Sequence, residues 1–307
     1  MGVDKIISID LHFQGYERTI AVYAIPHRQG ILLIECGPGS TLPALETGLS
    51  DHGYRLADIT DIFVTHIHLD HAGAAGRLSQ SGARIHVHQR GLPHLQKPDR
   101  LLESARRIYL DKMDTLWGET LPVPEERLDP LSDEQQIEIG GVRLTAYDTP
   151  GHATHHLIYV HEGIAFTGDV GGVRLPGPPF LLLPMPPPEF HLESWRQSVE
   201  RLRKLNPDWI APTHFGLYPD SGMHLAILEK ALESAEVWMS KTLPALGLTE
   251  SLADRLTDWT HQMAEQAGLD DRQIEAYEQV NPSWTSAMGV QRYWEKYRST
   301  AAIPGRT

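Results

Sequence analysis

Cysteine is almost absent from the chain, which has 307 residues and a single cysteine, Cys36. One cysteine excludes an intramolecular disulfide and any metal site built from several thiolates. We interpret Cys36 as a small buried apolar side chain rather than a nucleophile, because free cysteine is among the residues most often buried.

Long apolar runs are also missing. No window approaches the roughly 18 consecutive apolar residues of a membrane-spanning helix, so we predict no membrane insertion. The first residues include Asp4 and Asp10 and lack the apolar core of a secretory signal peptide. We therefore expect a cytoplasmic protein.

Basic residues are few relative to acidic ones, with 27 Lys and Arg against 40 Asp and Glu and a net charge of −13. Binding of nucleic acid needs a basic surface, so this balance argues against a nucleic-acid partner. Hydrophobic residues make up 41% of the chain, which is enough to bury the core of a globular protein. We expect a small-molecule substrate, and apolar residues in the C-terminal part would allow a homodimer.

The apolar pattern predicts strands in the first two thirds of the chain and helices throughout the last third. Short apolar or alternating runs, typical of strands, occur at residues 6–13, 19–25, 31–34, 62–67, 84–88, 136–147, 157–160, 164–167 and 209–212. Helices are predicted at residues 41–49, 70–79, 100–117 and 192–205, with Thr41 as the N-cap of the first. We predict a mixed domain at residues 1–219 and a C-terminal helical extension at residues 220–307.

Glycine and proline mark the connections between these elements. The pair Gly140-Gly141 and the triplet His161-Glu162-Gly163 each predict a hairpin turn. Residues 170–191 contain seven prolines, which exclude a helix or a central strand. We therefore expect that segment to be an ordered loop that crosses the surface.

The segment Thr65-His66-Ile67-His68-Leu69-Asp70-His71 carries the strongest functional signal. It directly follows an apolar run, so a strand would end there and present His66 and His68 from the following loop. Asp70 and His71 would then begin the next helix. Four such side chains packed together are costly unless they are paired or bind a metal. Nitrogen and carboxylate donors without thiolate suit Zn²⁺, and also Fe or Mn.

Three further residues share one context. His152, Asp169 and His214 each follow a predicted strand and have a neighbouring Gly or Pro. Loops at strand ends can direct side chains towards a shared centre. Each of these residues alone would be an ordinary loop residue, but together with the first motif they predict one site.

These five elements, in this order, resemble the metallo-β-lactamase superfamily, whose pattern is His-x-His-x-Asp-His followed by Pro-Gly-His, Gly-Asp and a late His. The resemblance covers about residues 6–216. Within the superfamily, the chain is similar to the branch of glyoxalase II and the lactonases, although the motifs do not fix a subfamily. It implies an α+β fold, the four-layer αβ/βα sandwich, with metals at one edge between the sheets and here a C-terminal helical extension.

The resemblance also implies two divalent metal ions, with zinc as the first choice and iron or manganese as alternatives. It assigns the ligands as His66, His68 and His152 for the first ion, Asp70, His71 and His214 for the second, and Asp169 as the bridge between them. Asp70 would in addition be catalytic, since it orients a hydroxide shared by the ions and can pass a proton to the leaving group.

Two residues match supporting positions of the family pattern. Glu35 stands in Glu35-Cys36-Gly37, where the family often has Asp-x-Gly and where a carboxylate supports the metal-binding loop. His156 follows four residues after His152 and matches a recurrent second histidine. We expect both residues to orient ligands or their loops without binding metal themselves.

The expected reaction is hydrolysis of an activated ester-type bond, a thioester or a lactone, because a thiolate leaving group needs little protonation. Specificity must come from segments outside the motifs. Residues 89–126, with His94, Tyr109, Met113 and Trp117, are one candidate, although core packing is the simpler interpretation of Tyr109 and Trp117. The other candidate segments are the turn at residues 10–13, the loop at residues 175–190 with Phe180 and Met185, and the C-terminal helices.

Three alternatives remain open on sequence alone. The first is an iron-dependent oxidoreductase of the same superfamily, such as a persulfide dioxygenase. The second is a nuclease of the superfamily, against which the acidic charge balance argues. The third is a non-catalytic protein whose metals serve structure or partner binding.

Overall fold

The computed structural model describes residues 3–247 and 251–299. Their strands form a six-stranded and a five-stranded sheet. The strands are β1 (Ile7–Asp10), β2 (Ala21–His27), β3 (Gly30–Ile34), β4 (Ile59–Phe63), β5 (Arg84–His88), β6 (Leu128–Leu131), β7 (Gln136–Ile139), β8 (Val142–Asp148), β9 (Leu157–His161), β10 (Ile164–Phe166) and β11 (Trp209–Ala211). No helix among the described residues is long and apolar enough to cross a membrane.

Helices cover the outer faces of the two sheets. They are α1 (Leu42–Asp51), α2 (Leu69–Ala72), α3 (Ala75–Gln80), α4 (Leu92–Gln96), α5 (Asp99–Tyr109), α6 (Met113–Trp117), α7 (Leu192–Leu205), α8 (Ser221–Thr242), α9 (Leu252–Gln266), α10 (Asp271–Val280) and α11 (Ser283–Tyr293). The expected α+β sandwich of two sheets between helices is therefore confirmed. Residues 248–250 and 300–307 of the predicted C-terminal extension lie outside the described residues.

Strand directions bring several strand ends to one edge of the sandwich. The first sheet has the order β1-β2-β3-β4-β5-β6, and β3 to β6 run parallel. The second has the order β11-β10-β9-β8-β7, with β10 and β11 parallel and the other pairs antiparallel. The carboxyl ends of parallel neighbours lie at the same edge of their sheet. The loops that follow β3, β4, β10 and β11 can therefore meet.

Strand β3 shows why both faces of the first sheet are buried. Gly30 is partly exposed, and the four residues that follow it in this strand are fully buried. Ile31 and Leu33 belong to the core under the outer helices, whereas Leu32 and Ile34 belong to the core between the sheets. A continuous apolar run is the pattern expected of a strand covered on both faces.

The two predicted hairpin turns are confirmed. Residue Ile139 pairs with Val142 across Gly140-Gly141, and His161 pairs with Ile164 across the next two-residue turn. Both central residues of each turn have positive φ, including Glu162 at 44°. That geometry matches the right-handed twist of the flanking strands.

The sequence analysis missed strand β6. Its residues Leu-Asp-Pro-Leu pair with β5 at the edge of the first sheet. Pro130 lacks a backbone N–H, so this segment does not look like a strand, and an edge position is where a strand tolerates proline.

Two predicted helices are each interrupted. The helix expected at residues 70–79 is divided into α2 and α3, and the one expected at 100–117 into α5 and α6. Leu110 has a φ of 50°, which ends α5, because a left-handed residue cannot continue a right-handed helix. The helix predicted at 192–205 matches α7.

The expectation that the proline-rich segment crosses the surface holds only in part, because Pro176, Gly177, Pro179 and Pro188 are exposed whereas most of the segment is buried. Its apolar residues, including Val173, Phe180 and Met185, are buried. The C-terminal helices cover it and satisfy its backbone: Tyr277 donates its hydroxyl proton to the carbonyl of Phe180, and the Asn281 amide donates to that of Leu183. Proline excluded regular structure here but did not exclude burial.

The long helix α8 offers a test of this packing. Leu228 is fully buried against the second sheet and α7, whereas Val237 on the same helix is 47% exposed. We predict that Leu228→Ala lowers the free energy of unfolding by about 2–5 kcal/mol through loss of apolar contact and the cavity left behind. The matched variant Val237→Ala should change it by less than about 0.5 kcal/mol. Urea denaturation followed by circular dichroism measures both, and equal effects would contradict this packing.

Candidate metal centre

The structure brings together all seven side chains that the sequence singles out as metal ligands. They divide into two groups, in each of which the candidate donor atoms lie within 4.8 Å of one another. The groups are His66, His68, His152 and Asp169, and Asp70, His71 and His214. Each residue lies in a loop or a helix start that follows a strand, at the edge where the carboxyl ends of β4, β8, β10 and β11 meet.

Three imidazole nitrogens face one another in the first group. His66 Nε2 lies 2.9 Å from His68 Nδ1 and 3.1 Å from His152 Nε2, and the last two atoms are 2.9 Å apart. Three nitrogens bound to a tetrahedral zinc at about 2.0–2.1 Å would lie about 3.3 Å apart. The spacing therefore fits a small cation at the centre of the three rings.

The second group surrounds a similar point. His71 Nε2 and His214 Nε2 each lie 3.5 Å from Asp70 Oδ2. They lie 3.2 and 3.4 Å, respectively, from Asp169 Oδ1. His71 Nε2 and Asp169 Oδ1 are buried and form no hydrogen bond with any described residue. A buried polar atom without a partner is costly, and a cation would satisfy both atoms at once.

Asp169 contributes to both groups. Its Oδ1 atom faces His71 and His214, and its Oδ2 atom lies 3.2 Å from His152 Nε2. The turn at Gly168–Gly171, which begins one residue after the end of β10, holds this carboxylate between the two groups.

The outer nitrogens of the histidines fix which nitrogen faces inward. His152 Nδ1 lies 2.8 Å from the carbonyl oxygen of Pro184, and His214 Nδ1 lies 2.8 Å from that of Thr19. A carbonyl oxygen only accepts, so each Nδ1 must carry the proton. The neutral rings therefore direct an unprotonated Nε2 towards the centre, as a metal ligand requires.

Glu35 connects three of the ligand-bearing segments. Its buried carboxylate accepts hydrogen bonds from the backbone N–H and hydroxyl of Thr65, from His71 Nδ1 and from the Thr213 hydroxyl. The single Thr65 hydroxyl proton is used on Glu35, so the Thr65 oxygen accepts from His66 Nδ1 at 3.0 Å. Glu35 therefore sets the orientation of two histidines, one directly and one through Thr65.

The backbone at Glu35 is left-handed, with a φ of 67°. Such a conformation costs a residue other than glycine about 1–2 kcal/mol. The accepted hydrogen bonds described above hold the residue in this conformation and offset that cost.

His156 lies behind the first group. Its Nδ1 atom is 3.0 Å from the Thr149 hydroxyl, and its Nε2 accepts from the backbone N–H of Val170 at 3.4 Å. Its ring stacks on His66 at a centroid distance of 5.1 Å. These contacts join the loop of His152 to the turn of Asp169.

The two groups have different electrostatics. Burial lowers the pKa of His66 and His152, and lowers that of His68 to about 3. Burial also lowers the pKa of His71, but the carboxylates of Asp70 and Asp169 outweigh it and raise that pKa well above its usual value. The second group therefore favours a positive charge at its centre.

Cys36 does not belong to the reactive set. It is fully buried and donates a weak hydrogen bond to the carbonyl of His71 at 3.2 Å. Burial raises the pKa of its thiol far above the usual range, so a nucleophilic thiolate does not form there.

A cavity of about 280 Å³ opens onto the two groups. Among the segments proposed for specificity, Phe13, His94, Tyr109 and Trp117 line it, whereas Met113, Phe180 and Met185 do not. The interpretation of Tyr109 and Trp117 as core residues is incomplete, because Trp117 is buried and Tyr109 is partly buried, yet both also line the cavity. The C-terminal helices do reach this edge.

Several cavity residues carried no sequence signal. His155 Nε2 lies 3.0 Å from the Glu189 carboxylate, and both residues line the cavity. Trp284, at the start of α11, also lines it. His155 stands beside His156, and the motif assigned a role only to His156. Glu189 and Trp284 lie in segments that only tertiary packing brings to the site.

Comparison with known proteins identifies the fold family. The model of the metallo-beta-lactamase superfamily matches residues 15–214, which include both groups. The metallo-beta-lactamase fold-containing protein ST1585 of Sulfurisphaera tokodaii is 27% identical over 191 residues, 60% of this chain and 72% of that protein. The crystal structure of ST1585 from Sulfolobus tokodaii shares the fold, with a TM-score of 0.66 at 21% identity, and covers 93% of this chain and 96% of that one.

Two further relatives are named as hydrolases. Hydroxyacylglutathione hydrolase of Pseudoalteromonas translucida is 27% identical over 43% of this chain, and atrochrysone carboxyl ACP thioesterase of Aspergillus fumigatus is 28% identical over 45%. The matches span 38% and 35% of those proteins, respectively. The family model spans most of the chain, includes every candidate ligand and agrees with the observed sheets. The chain belongs to the metallo-β-lactamase superfamily.

Proposed function

We propose that this protein is a hydrolase of thioesters that uses two divalent metal ions, with zinc as the expected metal. The observation that carries the proposal is the placement of Asp169 between two groups of donors at the floor of an apolar cavity. Each carboxylate oxygen faces a different group, as a bridging ligand would. The donors are nitrogen and oxygen only, which suits zinc and does not exclude iron or manganese.

When bound, such ions lower the pKa of a coordinated water to near 7 and polarise a carbonyl group. The chain supplies positioning and proton transfer. Asp70 lines the cavity, and its Oδ2 atom lies 3.5 Å from both His71 and His214. From this position its carboxylate can orient a water molecule and accept its proton. The same group can then pass the proton to a leaving group.

A thioester is favoured over other activated esters by two considerations. A thiolate leaves with little protonation, so it makes small demands on a site in which Asp70 and Glu189 are the cavity-lining carboxylates besides Asp169, and in which Glu189 is paired with His155. Two relatives are named for hydrolysis of acyl-thiol compounds, hydroxyacylglutathione and an acyl carrier protein conjugate. A lactone remains the next substrate class to test.

The metal content of variants tests the assignment of ligands. We predict about two equivalents of metal per wild-type chain and about one for His68→Ala, because only the first group loses a donor. Asp169→Ala should lower occupancy of both groups, and both variants should lose hydrolytic activity. Elemental analysis of dialysed protein measures the metal.

His52→Ala provides the matched control, since this histidine is exposed on the surface. It should keep the metal content and activity of the wild type. Unchanged metal content and activity in both His68→Ala and Asp169→Ala would overturn the assignment.

Glu35 gives a second prediction, for a residue that positions ligands without binding metal. Glu35→Gln places an amide N–H₂ against at least one of the N–H and O–H groups that now donate to the carboxylate. We expect metal affinity to fall about 10–100-fold, as is typical when such a supporting group is removed. Competition with a fluorescent chelator measures the affinity.

The exposed residue Glu46 on α1 offers a matched substitution, Glu46→Gln, with the same loss of charge. Its metal affinity should equal that of the wild type. If both variants behave alike, the effect would be one of net charge, and the proposed role of Glu35 would be wrong.

The substrate class is tested with the metallated wild-type protein on matched panels of acyl thioesters and lactones. We expect release of free thiol from thioesters, followed with a thiol-reactive dye, at rates that fall when metal is removed and recover when zinc is returned. Purification without added zinc that yields iron, together with oxygen consumption on a persulfide, would instead support the oxidoreductase alternative. Turnover of lactones without turnover of thioesters would contradict the proposed substrate class.

A further inference from the structure

Four aromatic rings form a continuous wall on one side of the cavity. Phe13 stacks on Trp117 at a centroid distance of 5.7 Å. Tyr109 meets Trp117 edge to face at 5.0 Å and Trp284 at 5.8 Å. All four rings line the cavity. We call this set the aromatic wall.

Helix α5 extends the apolar surface next to this wall. Leu101, Ala105 and Ile108 line the cavity at a spacing of three or four residues, so they lie on one face of the helix. Arg100 near the start of α5 also lines the cavity, and Lys112 lines it beyond the end of the helix at Tyr109. The surface between them is mostly apolar.

Trp284 is the aromatic side chain that lines the cavity from the described part of the C-terminal helices. It is the second residue of α11 and remains 37% exposed, although Thr285 beside it is buried. Tryptophan buries more apolar area on contact than any other side chain, and an exposed ring in a concave site is typical of ligand contact. The ring therefore stands at the mouth of the cavity, where a bound group can cover it.

The polarity of the wall indicates which half of a thioester it contacts. Thiols that form biological thioesters carry amide and charged groups, and such groups need hydrogen-bond partners when they are buried. The aromatic wall offers few partners. An acyl chain needs none, and its burial is favourable in proportion to its apolar area.

We propose that the aromatic wall binds the apolar acyl group of the substrate and that Trp284 determines the accepted acyl size. This inference rests on the proposed function, because it assigns the acyl half of the same thioester. The cavity volume of about 280 Å³ is close to the lower end of cavities that hold small organic ligands, about 300 Å³. The preferred acyl group is therefore of medium length rather than a long lipid chain.

Kinetics on one thiol with varied acyl groups tests the proposal. For thioesters of N-acetylcysteamine from acetyl to hexanoyl, we expect kcat/KM to rise by up to about fourfold for each added methylene. Trp284→Ala should flatten this dependence, and Trp284→Phe should restore most of it. Met288→Ala is the matched control, because Met288 lies one turn further along α11, is 43% exposed and does not line the cavity.

Equilibrium binding separates this proposal from the proposed function. The hexyl and methyl thioethers of N-acetylcysteamine cannot be hydrolysed, and calorimetry on the metallated full chain measures their affinities. The hexyl compound should bind more tightly, and Trp284→Ala should weaken it by roughly tenfold, the scale of a lost aromatic contact.

The outcomes are distinguishable. Tighter hexyl binding that depends on Trp284, without thioester turnover, would support the acyl cavity and overturn the proposed reaction. Turnover with no dependence on acyl length, or equal affinity for the two thioethers, would overturn the acyl cavity and leave the proposed reaction standing. Loss of acyl discrimination in Met288→Ala as well as Trp284→Ala would also overturn the role of Trp284, since a general disturbance of α11 would then explain both.

Discussion

The carboxylate of Glu35 is the contact on which the rest of the candidate metal centre depends. It follows β3 and accepts hydrogen bonds from the loop after β4, from His71 in α2 and from Thr213 after β11. These segments are far apart in sequence and belong to both sheets. A buried carboxylate must have its hydrogen bonds satisfied, so the three segments are held together by the cost of leaving it unpaired.

The sandwich provides the frame in which this contact is made. At the edge that carries the site, the sheets are linked directly: Leu157 N–H donates to the carbonyl of Thr65, and Ala21 N–H donates to that of Thr213. His66 follows Thr65, His156 precedes Leu157 and His214 follows Thr213. Each group takes donors from loops of both sheets, so movement of one sheet relative to the other would disrupt both groups.

The C-terminal helices add the features that the sandwich lacks. They bury the proline-rich segment, whose Pro184 carbonyl orients His152, and they bring Trp284 to the cavity. The same packing thus supports a candidate ligand from behind and shapes the space in front of it. Under the proposed function, this packing would let one set of helices affect both metal binding and the choice of substrate.

The sequence by itself predicted the candidate metal ligands. The dense motif at residues 65–71, together with His152, Asp169 and His214 after strands, was sufficient to predict the set of side chains that meet, because ligand type and strand ends are local properties. The order of these residues also carried the family resemblance that implied the fold. The sequence did not predict the edge strand β6, because Pro130 interrupts the strand pattern there, and it did not predict the burial of most of residues 170–191. It also gave no sign of His155, Glu189 or Trp284. Only the tertiary structure could decide these features, since the walls of a cavity come from segments distant in sequence whose contacts leave no local pattern.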